Sequence, residues 1–248
     1  MSEKLFFNKV KIITVAKVGS ANFLYCNYFQ TKNVDHGHSL LDLKNTLNNE
    51  NNCLIVTGIR NPIDRNLSYL FQCFNDNFYN NVQTKINNYN GEYCYIPDIS
   101  SDKTPIWEDS NIEINVSSEK MIDLYFKQKY HNTFNEWFEE FLEITKIDNF
   151  NKEKGIDFYN FPNNNTIMIY TMEKLNENEK YISDILGVTN FTNENDSDKR
   201  GYKHMYEEVK KMIVYKKEYL NNLLDTKIMR LFYSDSDINN FYSKYKTL

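Results

Sequence analysis

Long apolar runs are missing from this sequence. No segment approaches the ~20 consecutive apolar residues of a membrane span, which excludes a bilayer-crossing helix. Behind Met1-Ser2-Glu3-Lys4, the first apolar stretch is broken at Lys9 and Lys11, too short for the core of a secretory signal. The expectation is a protein made and kept in the cytoplasm. Cysteine is scarce: Cys26, Cys53, Cys73 and Cys94 show no CxxC pairing. That argues against zinc and dithiol redox sites and for reduced thiols partly packed in a core. Positive charge has no surplus either. The 29 Lys and Arg stand against 34 Asp and Glu, a net charge of −5, unlike a general nucleic-acid binder. A small basic pocket for one anion remains compatible, because local fields govern such a site. No Pro/Gly/Ser-rich linker divides the chain, so its 248 residues are expected to form one domain, 1–248.

What is present is an ordinary globular balance, with 41% hydrophobic and 25% charged residues. Aromatics reach 15%, and asparagine occurs in runs such as Asn163-Asn164-Asn165. Both biases fit codons rich in A and T, and no function is attached to them. Residues 10–16 (Val-Lys-Ile-Ile-Thr-Val-Ala) and 53–59 are short, apolar and rich in β-branched side chains, the pattern of buried strands. The first is interrupted by Gly19 and Ser20, and residues 21–30 are expected to continue as a helix. Residues 33–38 read as a strand end, with Ser39 capping a helix over 40–47. The second strand stops at Arg60-Asn61-Pro62, and Pro62 suits a first helical turn. The helix that follows carries Leu67, Leu70, Phe71, Phe74 and Phe78 on one face.

Strand and helix alternate over the first 80 residues, which predicts an α/β fold with a central parallel sheet flanked by crossover helices. A further strand is expected at 166–171. Helices are expected at 119–129, 133–145 and 175–186, the last closed by Gly187. The C-terminal part is read as helical, with one long helix over 202–224. Residues 80–118 are polar, contain Pro97 and Pro105, and read as a long irregular insertion of the kind that often forms a lid.

Three segments carry chemistry. The first is Lys17-Val18-Gly19-Ser20-Ala21-Asn22, a glycine-containing turn between a buried strand and a helix. Such a turn aims backbone N–H groups and the positive end of a helix dipole at an anion. It is not a Walker A loop, because the lysine precedes the glycine. Its simple alternative is a plain turn with an exposed lysine. The second runs from Ile59 to Tyr69, with Arg60 at the carboxyl end of a presumed central strand, where open α/β sheets bind ligands. A guanidinium suits a phosphate, and Ser68 adds a hydroxyl donor. The alternative is an Arg60–Asp64 pair across the helix start. The third is Asp35-His36-Gly37-His38. His-x-His can begin a metal site, but no further His or Cys spacing completes one, so no metal is assigned. A histidine there can act as a general base, or both can be incidental.

In order and spacing, these segments resemble the PAPS-dependent sulfotransferases. Residues 17–22 look like the 5′-phosphosulfate loop, and residues 60–68 like the 3′-phosphate motif, with its Arg and Ser eight positions apart. The His-Gly-His is similar to that of the carbohydrate 2-O-sulfotransferases. A weaker likeness, to bacterial capsular polysaccharide synthesis proteins, rests on Trp137-Phe138-Glu139-Glu140, on residues 155–162, on 170–175 and on 199–206. The resemblance implies a P-loop-like sulfotransferase fold, PAPS as donor and PAP as product. It implies that Lys17 neutralises the bridging oxygen and the 5′-phosphate, while Gly19, Ser20 and Asn22 donate to that phosphate within the loop shared with Val18 and Ala21. Arg60 and Ser68 hold the 3′-phosphate, His38 takes the acceptor proton, and His36 positions base or substrate. Two departures stand out: Ala21 replaces a usual second hydroxyl, and the family's C-terminal nucleotide loop is represented only by Lys199-Arg200-Gly201. The acceptor implied is a glycan or capsular polysaccharide. The rival readings are a P-loop kinase-like phosphotransferase, disfavoured because the second strand ends in Arg60 rather than an acidic metal ligand, and a non-catalytic nucleotide- or glycan-binding protein.

Overall fold

In the computed structural model, residues 5–15, 18, 23, 33–78, 117–127, 129–186 and 203–248 are described. Their strands are β1 (Lys9–Ile13), β2 (Asn33–Gly37), β3 (Cys53–Ile59), β4 (Ile156–Phe161) and β5 (Asn165–Thr171). They form one sheet in the order β2-β1-β3-β5-β4. β2, β1, β3 and β5 run parallel, whereas β4 pairs antiparallel with β5. The fold is therefore α/β with a mostly parallel sheet, and the antiparallel edge is a strand that periodicity did not reveal. Every residue of β3 and β5 is buried, as expected for strands covered on both faces.

The helices are α1 (Leu40–Asn49), α2 (Pro62–Phe78), α3 (Ser118–Lys127), α4 (Thr133–Thr145), α5 (Glu179–Leu186), α6 (Lys203–Met212), α7 (Lys217–Leu224), α8 (Lys227–Phe232) and α9 (Asp235–Lys244). Side chains alternate across a strand, and the two faces of the sheet bury separate apolar layers. Cys53, Ile55 and Ile59 of β3 join Leu43 of α1, Leu67 of α2, Phe138 of α4 and Phe232 of α8. Leu54 and Val56 join Val10, Ile12, Met168 and Tyr170, covered by Phe23 and by Ile182 of α5. Among the described residues, no helix is long and apolar enough to cross a membrane.

Local chemistry explains the boundaries. Ser39 caps α1, its hydroxyl accepting from the Asp42 N–H at 3.4 Å. Asn61 caps α2, its Oδ1 accepting from the Ile63 N–H at 3.0 Å with Pro62 in the first turn. Gly155 enters β4 at φ +70°, a backbone that favours glycine, and a Cβ there would meet Thr171 Oγ1 at 2.6 Å.

Several expected elements are corrected. The first strand ends at Ile13, although the Thr14 N–H still reaches the Gly37 carbonyl at 3.2 Å. The helix expected at 175–186 starts only at Glu179. Its first turn is displaced because the Asn178 amide donates to the carbonyls of Lys154 and Lys174, at 2.6 and 2.9 Å. The single helix expected over 202–224 is two, α6 and α7. Between them Tyr215 pairs with the C-terminal segment, its N–H donating to the Lys246 carbonyl at 2.8 Å and its carbonyl accepting from Leu248 at 3.1 Å. Those long-range bonds take the place of helical ones at Tyr215, while the Ile213 N–H still reaches the Val209 carbonyl at 2.8 Å. The expected helix at 21–30, apart from Phe23, the insertion up to residue 116, and the Gly187 stop lie outside the described residues.

Candidate functional site

Parallel pairing brings the carboxyl ends of β1, β2, β3 and β5 to one edge of the sheet, so Thr14, His38, Arg60 and Glu173 emerge there from four neighbouring strands. The chain passes from β1 outward to β2 and returns to β3 on the other side of β1. Such a reversal opens the crevice in which α/β sheets bind ligands. The first strand, the histidine strand and the arginine strand thus flank the switch point.

His38 is fixed by two distant groups. Its Nδ1 makes a short hydrogen bond with the Thr14 carbonyl. A carbonyl only accepts, so Nδ1 carries the proton and Nε2 keeps its lone pair. The Trp137 indole of α4 donates to the His38 carbonyl at 3.0 Å and stacks on Phe141 at 5.5 Å. Burial lowers the His38 pKa, the Thr14 bond opposes that, and the Arg65 charge lowers it further. The ring is therefore neutral at pH 7, the form that accepts a proton. The His36 ring meets His38 edge-on at 5.2 Å. Its pKa is also lowered, by partial loss of hydration and then by His38, although the residue stays solvent-exposed.

Arg60 follows β3 and is half-buried. Its charge acts on Glu173 and Tyr233. Glu173 Oε1 accepts from the Asn61 N–H at 2.8 Å, and Oε2 accepts from the Tyr233 hydroxyl at 2.7 Å. Partial loss of hydration raises the Glu173 pKa against those bonds, although the residue keeps solvent exposure. This carboxylate ties the end of β5 to the start of α2, which fixes where Arg60 leaves the sheet. Asp64, the alternative partner of Arg60 in the sequence, accepts a short bond from Lys244 of α9. Ser68 is half-buried on α2.

A second arginine lies on the first turns of α2. Arg65 is buried at 3% exposure, donates from Nη1 to Asn66 Oδ1 at 2.9 Å and lies over the Tyr69 ring at 5.0 Å. The Asn66 amide donates to the His131 carbonyl at 3.2 Å. His131 Nε2 bonds the Tyr125 carbonyl at 2.7 Å, which makes its Nδ1 the acceptor of the Tyr219 hydroxyl at 2.6 Å. Tyr219 in turn meets the Tyr125 hydroxyl at 2.8 Å. Asn66, which holds Arg65, is thereby tied through His131 to Tyr125 of α3 and Tyr219 of α7, and the Arg65 charge lowers the pKa of both His38 and His131.

Beyond Val15, the segment between β1 and β2 has two described residues, Val18 and Phe23, and both rest on Tyr170. The Tyr170 hydroxyl donates to the Val18 carbonyl at 2.8 Å, and Phe23 packs on its ring at 4.8 Å. Tyr170 reaches Val18 by lying over Gly58 of β3, where an added Cβ would meet its Cζ and Oη at 2.5 Å. Glycine at position 58 is the opening through which β5 holds the chain that leaves β1.

The structure thus brings together His36, His38 and Arg65, and places Arg60 beside Glu173. Lys17, Gly19, Ser20, Ala21, Asn22, Lys199, Arg200 and Gly201 lie outside the described residues. Among the described residues, no three His, Cys, Asp or Glu side chains converge as a metal site. Sequence reasoning assigned no role to Arg65, Trp137, Tyr170 or Glu173, although it quoted all four inside longer motifs. No family, curated protein or solved structure matches the chain.

Proposed function

We propose that this chain transfers a sulfuryl group from PAPS to a hydroxyl of a glycan or capsular polysaccharide, with His38 as general base. The observation that carries the reading is the His38 tautomer: Nδ1–H on the Thr14 carbonyl, Nε2 unprotonated, at the carboxyl edge of the strand beside β1. As the acceptor O–S bond forms, the acceptor proton passes to Nε2. The S–O bond to the 5′-phosphate breaks, and PAP leaves with that electron pair. Lys17 would neutralise the growing charge on the leaving oxygen, a role of the kind worth about a hundredfold or more in rate. Gly19, Ser20 and Asn22, with Val18 and Ala21 in the same loop, would hold the 5′-phosphate. Arg60 and Ser68 would hold the 3′-phosphate, and Lys199, Arg200 and Gly201 would contribute to nucleotide binding. A P-loop-like sulfotransferase fold belongs to the same proposal. It is supported by the β1–β3 switch point and by the Tyr170 anchor beneath the segment after β1.

The test is transfer of labelled sulfate from PAPS over a glycan panel, with PAP binding measured in parallel. His38→Ala is expected to keep PAP affinity and lose about 10²–10⁴ in rate. Wild-type protein that binds PAP and transfers to no hydroxyl would support the non-catalytic binding protein instead. A chain with no preference for PAP over ADP would remove the nucleotide assignment altogether.

A further inference from the structure

A second basic hollow lies where the end of α6 meets the C-terminal segment. It has a volume of about 310 Å³ and is walled by Lys210, Lys211, Lys244 and Lys246 with Tyr215 and Tyr245. That size is at the low end of small-molecule sites. The Tyr215–Thr247 bridge folds residues 244–246 against the last turn of α6 and so gathers four lysines distant in sequence.

Structural roles account for two of the four ammonium groups. Lys246 donates to the Lys211 carbonyl at 2.6 Å, satisfying an otherwise open acceptor in the last turn of α6. Lys244 is held by Asp64. Lys210 stands 5.7 Å from the Tyr206 ring. Among the described residues, no carboxylate comes within 4.0 Å of Lys210 or Lys211, and Glu207, which also borders the hollow, is not their ion-pair partner. In a chain of net charge −5, Lys210, Lys211 and Lys246 still face only Glu207 across the hollow, and their ammonium groups repel one another until an anion enters. The half-buried Tyr245, backed by the buried Tyr215 ring at 5.3 Å, gives that anion an aromatic wall on which a ring can lie.

We propose that this hollow is an anion-binding site for a compact polyanion, one that carries phosphate, sulfate or carboxylate groups on a ring-sized body. It is separate from the residues assigned to PAPS and does not depend on sulfuryl transfer. The test is calorimetric titration of the full chain at low salt with pyrophosphate, a sulfated disaccharide and a uronate disaccharide. Crossed variants assign the site. Lys210→Ala/Lys211→Ala is expected to weaken the bound probe about tenfold, with Arg60→Ala leaving its affinity unchanged. Lys211→Gln, which keeps length and polarity, gives a smaller loss in the same direction and stands in should the double variant fail to fold. Pyrophosphate binding alone identifies a phosphate ligand, and disaccharide binding identifies an acidic sugar. The proposal is overturned if no probe binds at about 1 mM, if the lysine variants bind as wild type does, or if Arg60→Ala abolishes the same binding.

Discussion

Substituting Gly58 by alanine tests whether Tyr170 holds the chain that leaves β1. The new Cβ would stand 2.5 Å from Tyr170 Cζ and Oη and 2.9 Å from Cε2, so the ring must retreat by roughly an ångström to reach ordinary contact. It has nowhere to go: Tyr170 is fully buried, Phe23 packs on it at 4.8 Å, and its hydroxyl is held by the Val18 carbonyl. Overpacking of this kind costs about 1–3 kcal/mol. Breaking the Val18 bond leaves a buried donor and acceptor, a further ~1–3 kcal/mol. The alanine recovers about 0.4–1 kcal/mol by restricting the unfolded chain. The net expectation from these terms is a loss of about 1–5 kcal/mol, read as a lower urea midpoint at unchanged slope. In a Tyr170→Ala background the obstacle is gone, and the same substitution should cost less than about 1 kcal/mol, a strong coupling between the two sites. Equal costs in both backgrounds, or a loss in wild type below about 0.5 kcal/mol, would refute the reasoning.

Four other outcomes are expected. His36, His38 and His131 all have lowered pKa values, with burial or loss of hydration the leading cause in each. The folded state therefore resists protonation that the unfolded state accepts, so stability is full above about pH 6.5 and falls as pH drops through the lowered native values. Urea melts from pH 8 to pH 4 check this, and a midpoint constant across that range contradicts it. For the same reason the acid limb of any transfer activity should lie below pH 6.5, the ordinary value of a free histidine, rather than at it. Arg60→Ala should weaken PAP by about 1.5–3 kcal/mol and ADP much less, as titration of both nucleotides would show; equal losses contradict a 3′-phosphate contact. Trp137→Phe removes the donor to the His38 carbonyl and should lower kcat by roughly two- to tenfold, at unchanged PAP affinity and with the pH profile displaced. A merely structural role would lower stability and leave that profile where it was.

Much of the fold was legible because its signals are local. Residues 53–59 are apolar throughout, and β3 occupies the same residues. The expected helix at 133–145 coincides with α4, and Ser39 and Pro62 mark helix starts as capping chemistry requires. The failures are tertiary. β4 (Ile-Asp-Phe-Tyr-Asn-Phe) alternates only partly, because as an edge strand it is half-covered. The break between α6 and α7 has no proline or glycine to announce it. It exists because residues 215 and 247 pair, and a pattern read along a helix carries no information about a strand that arrives 32 positions later.

The same distinction separates the candidate residues that sequence nominates from those it passes over. His36, His38 and Arg60 are nominated because strand ends beside glycine or proline are recognisable positions, and histidine and arginine there are chemically suggestive. What makes His38 a candidate base is not in its neighbourhood of sequence. The tautomer is set by Thr14, 24 positions earlier, and the backbone is pinned by Trp137, 99 positions later. Arg60 leaves the sheet where it does because Glu173, 112 positions beyond Asn61, holds that turn. A sequence names the groups able to accept a proton or bind an anion. Protonation state, orientation and local field come from partners that only the folded sheet brings within 3 Å. On the proposed reading, Trp137 acts through His38, and its substitution should alter pH dependence and rate before binding, whereas Tyr170 and Glu173 act through the Val18 segment and Arg60, and their substitution should alter nucleotide binding as well.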